Sequence, residues 1–348
     1  MTTHVLISGA SGFIAAHTVA ALLAAGHTVT GTVRRPDDSQ STAHLRALPG
    51  AERLRLVAAD LEDPSAFDAH VADVDHVIHM ASPFRMDVAD ARRDLLEPAV
   101  AGTHAMLRAC ARAPRVQRVV LTSSMAAVTD EPDTSHVLTE DDWNVRSSLT
   151  RNPYYYSKAE AERAAWRFVE QERPRWDLVA INPFIVVGPS LSGTISESNK
   201  LLVDLMNGAY PAVMALTWGF VDVRDVAAAH VRALTAPAAN GRYLCVAGNR
   251  SMREVVALLR ASGYAHTRLP RRGLDSALGN HLARLAAFTQ PRGVASYLRT
   301  HLGRVPRYDC AKIMRDLDLA FRDVDQSLLE TAADLVRHGH VAPAPRAA

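Results

Sequence analysis

His4-Val5-Leu6-Ile7-Ser8-Gly9-Ala10-Ser11-Gly12-Phe13-Ile14-Ala15 is the stretch on which the fold turns. A short apolar run ends in a two-glycine turn, and a helical pattern then runs from Phe13 to Ala25 and stops at Gly26. Gly9 suits a tight turn. Gly12 leaves room for a pyrophosphate at the helix N-terminus, where unpaired N–H groups and the dipole favour an anion. Ala15 is small enough to let the helix close on the strand. Two glycines alone also occur in plain turns; the strand–turn–helix setting is what points to a dinucleotide. Ser11, Phe13 and Ile14 belong to the same predicted cradle.

Outward from this unit the alternation continues. Strands are expected at Thr28–Val33, Leu54–Ala59, His76–Met80, Val116–Thr122 and Asp177–Ile181, with helices over Asp94–Ala113 and Tyr154–Arg173. Strands that alternate with helices pair in parallel with crossovers on both faces, which predicts an α/β, doubly wound parallel sheet. The pattern loosens after Pro183 and turns mostly helical after Ser251. The expectation is a sheet domain from 1–182 and 219–247. A smaller, discontinuous, mostly helical substrate domain is expected from 183–218 and 248–340, with a disordered tail at 341–348.

At the end of the second strand, Arg34 and Arg35 stand where a carboxylate would hold the ribose of NAD, and no acid follows before Asp37. A guanidinium there would take a 2′-phosphate, so NADP(H) is the expected cofactor; two surface arginines in a loop are the plainer alternative. Asp60 and Leu61 sit where an adenine would be held, or Asp60 is a helix cap. The fifth strand ends in Leu121-Thr122-Ser123-Ser124-Met125. Further on comes Tyr154-Tyr155-Tyr156-Ser157-Lys158, with Tyr154 and Lys158 one helical turn apart on one face. An ammonium beside a phenol favours the phenolate, Ser124 would hold a carbonyl oxygen, and together they fit proton transfer coupled to hydride exchange. Ser123 is the alternative to Ser124, and His230 reads as structural.

The chain has 348 residues, a formal net charge of +2 and 48% hydrophobic residues, so it holds ample material for a buried core and shows no basic block for nucleic acid. The three cysteines, Cys110, Cys245 and Cys310, are too far apart for a disulfide framework or a zinc site, and no metal is expected. The N-terminus lacks a signal-peptide pattern and no apolar run is long enough to span a membrane, so a cytoplasmic protein without a membrane partner is expected.

The stretches ISGASGFIA, HMASPF, RDLLEPAVAGT, VVLTSSMAAV, YYYSKAEAERAAW, INPFIVVGP and FVDVRDVAAAH resemble the extended short-chain dehydrogenases/reductases over roughly residues 4–250. The branch they are most similar to holds dihydroflavonol reductases, cinnamoyl-CoA reductases and NADPH-dependent aldehyde/ketone reductases. That resemblance implies a Rossmann-type sheet and a monomer or homodimer. It implies a small carbonyl/alcohol substrate, with catalysis by Ser124, Tyr154 and Lys158. Ala81, Ser82, Pro83, Thr122, Pro183 and Ile185 would contact the cofactor. Phe84, Met125, Thr129, Tyr155 and Met214 would line an apolar substrate pocket, or simply fill the core.

Two departures stand out. Ala101 replaces an Asn that orders a water in many relatives, and Thr129 stands at about the place of a flavonoid-contacting Asn. The implied activity is NADPH-dependent reduction of a bulky, largely apolar ketone or aldehyde. A hydroxysteroid dehydrogenase shares the trio. A nucleotide-sugar epimerase or dehydratase would want a further acid beside the serines, yet none occurs before Asp130. A non-catalytic NADP sensor would not need the Tyr–Lys pair.

Overall fold

The computed structural model describes residues 2–61, 63, 65–82, 88–290 and 292–343. Pro83 and Phe84 lie outside the described residues. The chain runs β1 (His4–Ile7), α1 (Phe13–Ala24), β2 (Thr28–Val33), α2 (Ser39–Arg46), β3 (Leu54–Ala58), α3 (Asp68–Val71), β4 (His76–His79) and α4 (Glu97–Arg112). It continues through β5 (Arg118–Thr122), β6 (Val137–Leu138), α5 (Pro153–Glu172), β7 (Asp177–Pro183), β8 (Ile185–Val187), α6 (Lys200–Asn207), β9 (Thr217–Asp222) and α7 (Val223–Thr235). The last part holds β10 (Gly241–Cys245), β11 (Gly248–Ser251), α8 (Met252–Leu259), α9 (Ala277–Ala286), α10 (Arg292–His301), β12 (Arg307–Tyr308), α11 (Ala311–Asp316) and α12 (Val324–Arg337).

Seven strands form one parallel sheet in the order β10-β7-β5-β4-β1-β2-β3. The predicted doubly wound architecture is therefore present. The order reverses between β1 and β4, and doubly wound sheets bind ligands at the carboxyl edge of that switch point. One face of the sheet packs on α1 and α7 through a core that includes Val19, Leu22, Val226 and Leu234. The other packs on α4 and α5 through Met106, Cys110, Ala165 and Phe168. Both faces are covered, which is why the inner strands read as continuous apolar runs.

A second core gathers α6, α8 and α12 around Trp218 and Phe220. It rests on a three-stranded sheet, β11-β9-β8, that periodicity did not reveal. These strands have only three to six residues. The boundary expected at 218/219 falls inside β9, whose residues 220–222 pair with β8 instead of the main sheet. The expected tail also needs correction at its start. Val341 is 2% exposed within the second core, and His266 Nε2 donates to the Ala342 carbonyl at 3.1 Å. Among the described residues no helix is long and apolar enough to cross a membrane.

Candidate active site

The turn after β1 has the geometry that its glycines predict. Gly9 has φ +68°, and a Cβ there would stand 3.3 Å from the Ala81 Cα at the end of β4. Gly12 N donates to the Gly9 carbonyl at 2.9 Å, and a Cβ on Gly12 would crowd that same oxygen at 3.2 Å. Gly12 is the N-cap of α1 and no side chain caps the helix, so its first N–H groups stay open to an outside acceptor. A glycine cradle beneath an uncapped helix is the donor set a dinucleotide pyrophosphate requires. Ser11, Phe13 and Ile14 follow the turn directly; Phe13 and Ile14 pack against the main core.

The opposite wall is the exit from β4. Ser8 Oγ accepts from the backbone N–H of Met80 and of Ala81, both at 2.9 Å, and donates to His79 Nδ1 at 2.8 Å. Burial pushes the His79 imidazole down to about 4, so it is neutral and can accept that proton. Ser8 thus fixes the turn that carries Ala81 and Ser82. Sequence reading passed over it because a serine at a strand end has no distinguishing pattern.

The two serines have different partners. Ser123 Oγ donates to Glu162 Oε2 at 2.5 Å and is buried, whereas the Ser124 hydroxyl is hydrogen-bonded to the Tyr154 phenol. Ser124 also caps the short turn Met125–Ala127, accepting from Ala126 N at 3.1 Å, which holds its side chain at the end of β5. Thr122 Oγ1 lies 2.8 Å from His230 Nε2. His230 Nδ1 is 2.7 Å from the Val226 carbonyl and must be the protonated nitrogen, so Thr122 donates. His230 is fully buried and held down to about 4, a neutral packing residue.

Pro153 opens α5, and the helix presents Tyr154 and Lys158 one turn apart. Lys158 Nζ donates to Ser82 Oγ at 2.9 Å and lies 5.9 Å from the Tyr154 ring centre. Burial drives the ammonium down to about 8. The phenol departs from expectation. Burial raises Tyr154 above its ordinary value, and the Ser124 hydrogen bond only partly offsets this, with no lowering by the lysine. Two groups withdrawn from water on one helix face explain the difference: desolvation outweighs a charge held at ring-centre distance. At neutral pH Tyr154 therefore keeps its proton.

The remaining predicted residues are spread more widely. Arg34 follows β2 directly and is exposed, with no ion pair among the described residues, while Arg35 pairs with Asp38 at 3.7 Å. Leu61 presses onto α4 where Gly102 leaves space for it, and the Asp60 carbonyl accepts from Asp63 N at 3.2 Å. Pro183 ends β7 and Ile185 opens β8. Met125 is only 1% exposed and is sealed among Val128, Leu138 and Leu244, a core position instead of a pocket wall. Thr129 is spent locally, its Oγ1 accepting from Glu131 N at 3.3 Å. Tyr155 stacks edge-on to Tyr154 and packs beside Tyr297 and His301, and Ile185, Met214 and Tyr297 share one cluster.

Tyr297 belongs to a segment whose sequence gave no functional reading. Its helix, α10, docks on the start of α5. Asn152, at φ +48° just before Pro153, donates its backbone N–H to Ser296 Oγ at 3.0 Å and its amide to Thr300 Oγ1 at 3.1 Å. An Asn before a Pro at a helix start was the one visible signal; its partners are far away in sequence.

The model of the NAD dependent epimerase/dehydratase family matches residues 5–248. Cinnamoyl-CoA reductase 1 of Arabidopsis thaliana is 39% identical over 344 residues, covering 97% of this chain and 91% of that protein. Tetraketide alpha-pyrone reductase 1 of Arabidopsis thaliana is 33% identical, covering 97% and 96%. Among solved structures, yeast methylglyoxal/isovaleraldehyde reductase complexed with NADPH superimposes with a TM-score of 0.79 at 30% identity, covering 96% of this chain and 98% of that one. With a matching family model over most of its length and this strand order, the chain belongs to the NAD dependent epimerase/dehydratase family, as an extended short-chain dehydrogenase/reductase, and is a nicotinamide-dependent oxidoreductase.

Proposed function

We propose that this protein is an NADPH-dependent carbonyl reductase that converts a bulky, largely apolar ketone or aldehyde to the alcohol. The observation that carries the reading is the Ser124 hydroxyl bonded to a protonated, half-buried Tyr154, with Lys158 one turn further along the helix. When bound, the reduced nicotinamide supplies the hydride. Gly9, Gly12 and the open N-terminus of α1 would hold the pyrophosphate, and Arg34 the 2′-phosphate. Ser124 holds the substrate oxygen and steadies the negative charge that develops on it. Tyr154 gives its proton to that oxygen, and a phenol kept protonated by burial is the state reduction requires. Lys158, fixed by Ser82, is placed to steady the phenolate left behind.

Ile185, Tyr155 and Met214, joined by Tyr297, give the substrate side its apolar character. The printed names of the relatives, cinnamoyl-CoA reductase and tetraketide alpha-pyrone reductase, support an extended acyl or aryl substrate. The sheet domain is read as the cofactor side and the helical region around the second core as the substrate side. Loss of NADPH absorbance against aryl ketones, diketones and aldehydes tests the proposal, with NADH and Tyr154→Phe alongside. Turnover with NADPH that falls at least about a hundredfold in the variant is expected, because the general acid is gone. Full turnover by Tyr154→Phe would refute the mechanism.

A further inference from the structure

Behind the reacting groups lies a buried ion pair that the mechanism above does not use. Glu162 stands one turn beyond Lys158 on α5, 1% exposed, and Arg242 on β10 is 6% exposed. Arg242 Nε donates to Glu162 Oε1 at 2.6 Å, and Trp166 Nε1 donates to the same oxygen at 3.2 Å. The other oxygen accepts from Ser123 Oγ at 2.5 Å and from Asn182 Nδ2 at 2.8 Å. The guanidinium lies over Trp143, its Cζ 3.8 Å from the ring centre, and its Nη1 donates to the Glu140 and Asp142 carbonyls at 2.8 and 2.5 Å. Neither ion lacks partners.

A buried pair of this kind is weak evidence of stability, because packed apolar residues often do as well. What distinguishes this one is where its bonds lead. β10, β7 and β5 are neighbours in the sheet, and Glu162 takes a donor from each of these strands or its immediate end. Asn182 Nδ2 also donates to the Ser124 carbonyl at 3.1 Å. One carboxylate on the helix that bears Tyr154 and Lys158 is thus tied, through a single amide, to the backbone of the serine that bonds Tyr154.

We propose that Glu162 is a positioning residue which, through Asn182, sets the distance between Ser124 on β5 and Tyr154 on α5. Arg242 holds the carboxylate aimed at Ser123 and Asn182. The inference rests on the reading of Ser124 and Tyr154 as the reacting pair. Catalytic geometry has to be kept to within about 0.5 Å, so a relaxed serine costs turnover while leaving binding almost unchanged.

The test uses the full chain, with kcat expressed per NADPH-binding site so that misfolded protein drops out. Glu162→Gln and Asn182→Ala should each lower kcat about tenfold, with the carbonyl KM and the NADPH Kd within about twofold of the parent. Because the two act in series, the double variant should be no worse than the poorer single one, instead of a hundredfold down. The shape of the pH–rate profile should not move. If Glu162→Gln does not fold, Asn182→Ala and Ser123→Ala carry the test, since neither leaves Arg242 without its carboxylate.

Unchanged kcat per site with a lowered Tm would mean a purely structural pair and would overturn the proposal. So would a shifted alkaline limb, which would make Glu162 a charge acting on Lys158. Tyr154→Phe run in parallel separates the two failures. If that variant keeps full activity, the reading of the site falls. If it is inactive while the network variants turn over normally, only the positioning role falls.

Discussion

Lys158→Met should make the protein more stable and catalytically inert. The ammonium is buried with Ser82 Oγ its one hydrogen-bond partner among the described residues, and burial lowers it from 10.5 to about 8. That lowering corresponds to about 3 kcal/mol by which the fold disfavours the charged lysine at pH 7. Removing the Ser82 hydrogen bond returns about 1 kcal/mol, so the net gain expected is about 2 kcal/mol. The sign also fixes a pH signature. Between about 8 and 10.5 the unfolded chain binds more protons than the folded one, so the parent's stability must rise with pH across that window. The variant should lack this rise, so above the window the parent should be the more stable by about 1 kcal/mol, the worth of the Ser82 hydrogen bond. Urea unfolding of the dinucleotide-free protein at several pH values from 7 to 10.5 reads both quantities. A variant less stable than its parent at pH 7, or a parent whose stability does not rise through the window, would refute the claim that desolvation dominates at this lysine.

Arg34→Ala should raise the KM for NADPH about tenfold or more, the worth of a charge-assisted hydrogen bond, and leave that for NADH unchanged; equal changes for both cofactors in steady-state assays would remove Arg34 from the phosphate site. Gly9→Ala places a Cβ at φ +68° and 3.3 Å from Ala81, so a stability loss of about 1 kcal/mol and weaker NADPH binding by fluorescence titration are expected. Ser296→Ala combined with Thr300→Val unties Asn152 from α10 and should lower kcat several-fold with NADPH affinity unchanged, measured by steady-state kinetics and titration. The reduction rate should decline as pH rises through about 8, where Lys158 loses its charge, and a pH–rate profile flat to pH 10 would count against its part in steadying the phenolate.

The cofactor half of this site was legible because it is built from neighbours in sequence. A strand, a Gly9–Gly12 turn and a helix N-terminus form one local unit, and backbone sterics alone dictate where glycine must stand. The spacing of Tyr154 and Lys158 is likewise a property of one helix. The parallel sheet followed from alternation, since a parallel pair needs a crossover whatever its residues. Short strands escaped: β8 and β11 have three and four residues, too few to show a period against a Gly- and Ser-rich background.

What chemistry each residue can do was written in the sequence; which residue does it, and in which protonation state, was decided by tertiary packing. Ser123 and Ser124 are identical in type, and only Glu162, 39 residues from Ser123, takes one of them out of the site. The phenol was expected to lean towards its anion, yet desolvation raises it instead and the Ser124 hydrogen bond only partly offsets that. Met125 seemed able to line a pocket until Leu138 and Leu244 closed over it. The docking of α10 on Asn152 spans 144 and 148 residues of chain. Spacing along a chain fixes what lies on one helix face or one turn, because bond geometry reaches that far. Desolvation and long-range hydrogen bonds depend on which distant segments meet, and that exists only once the chain has folded.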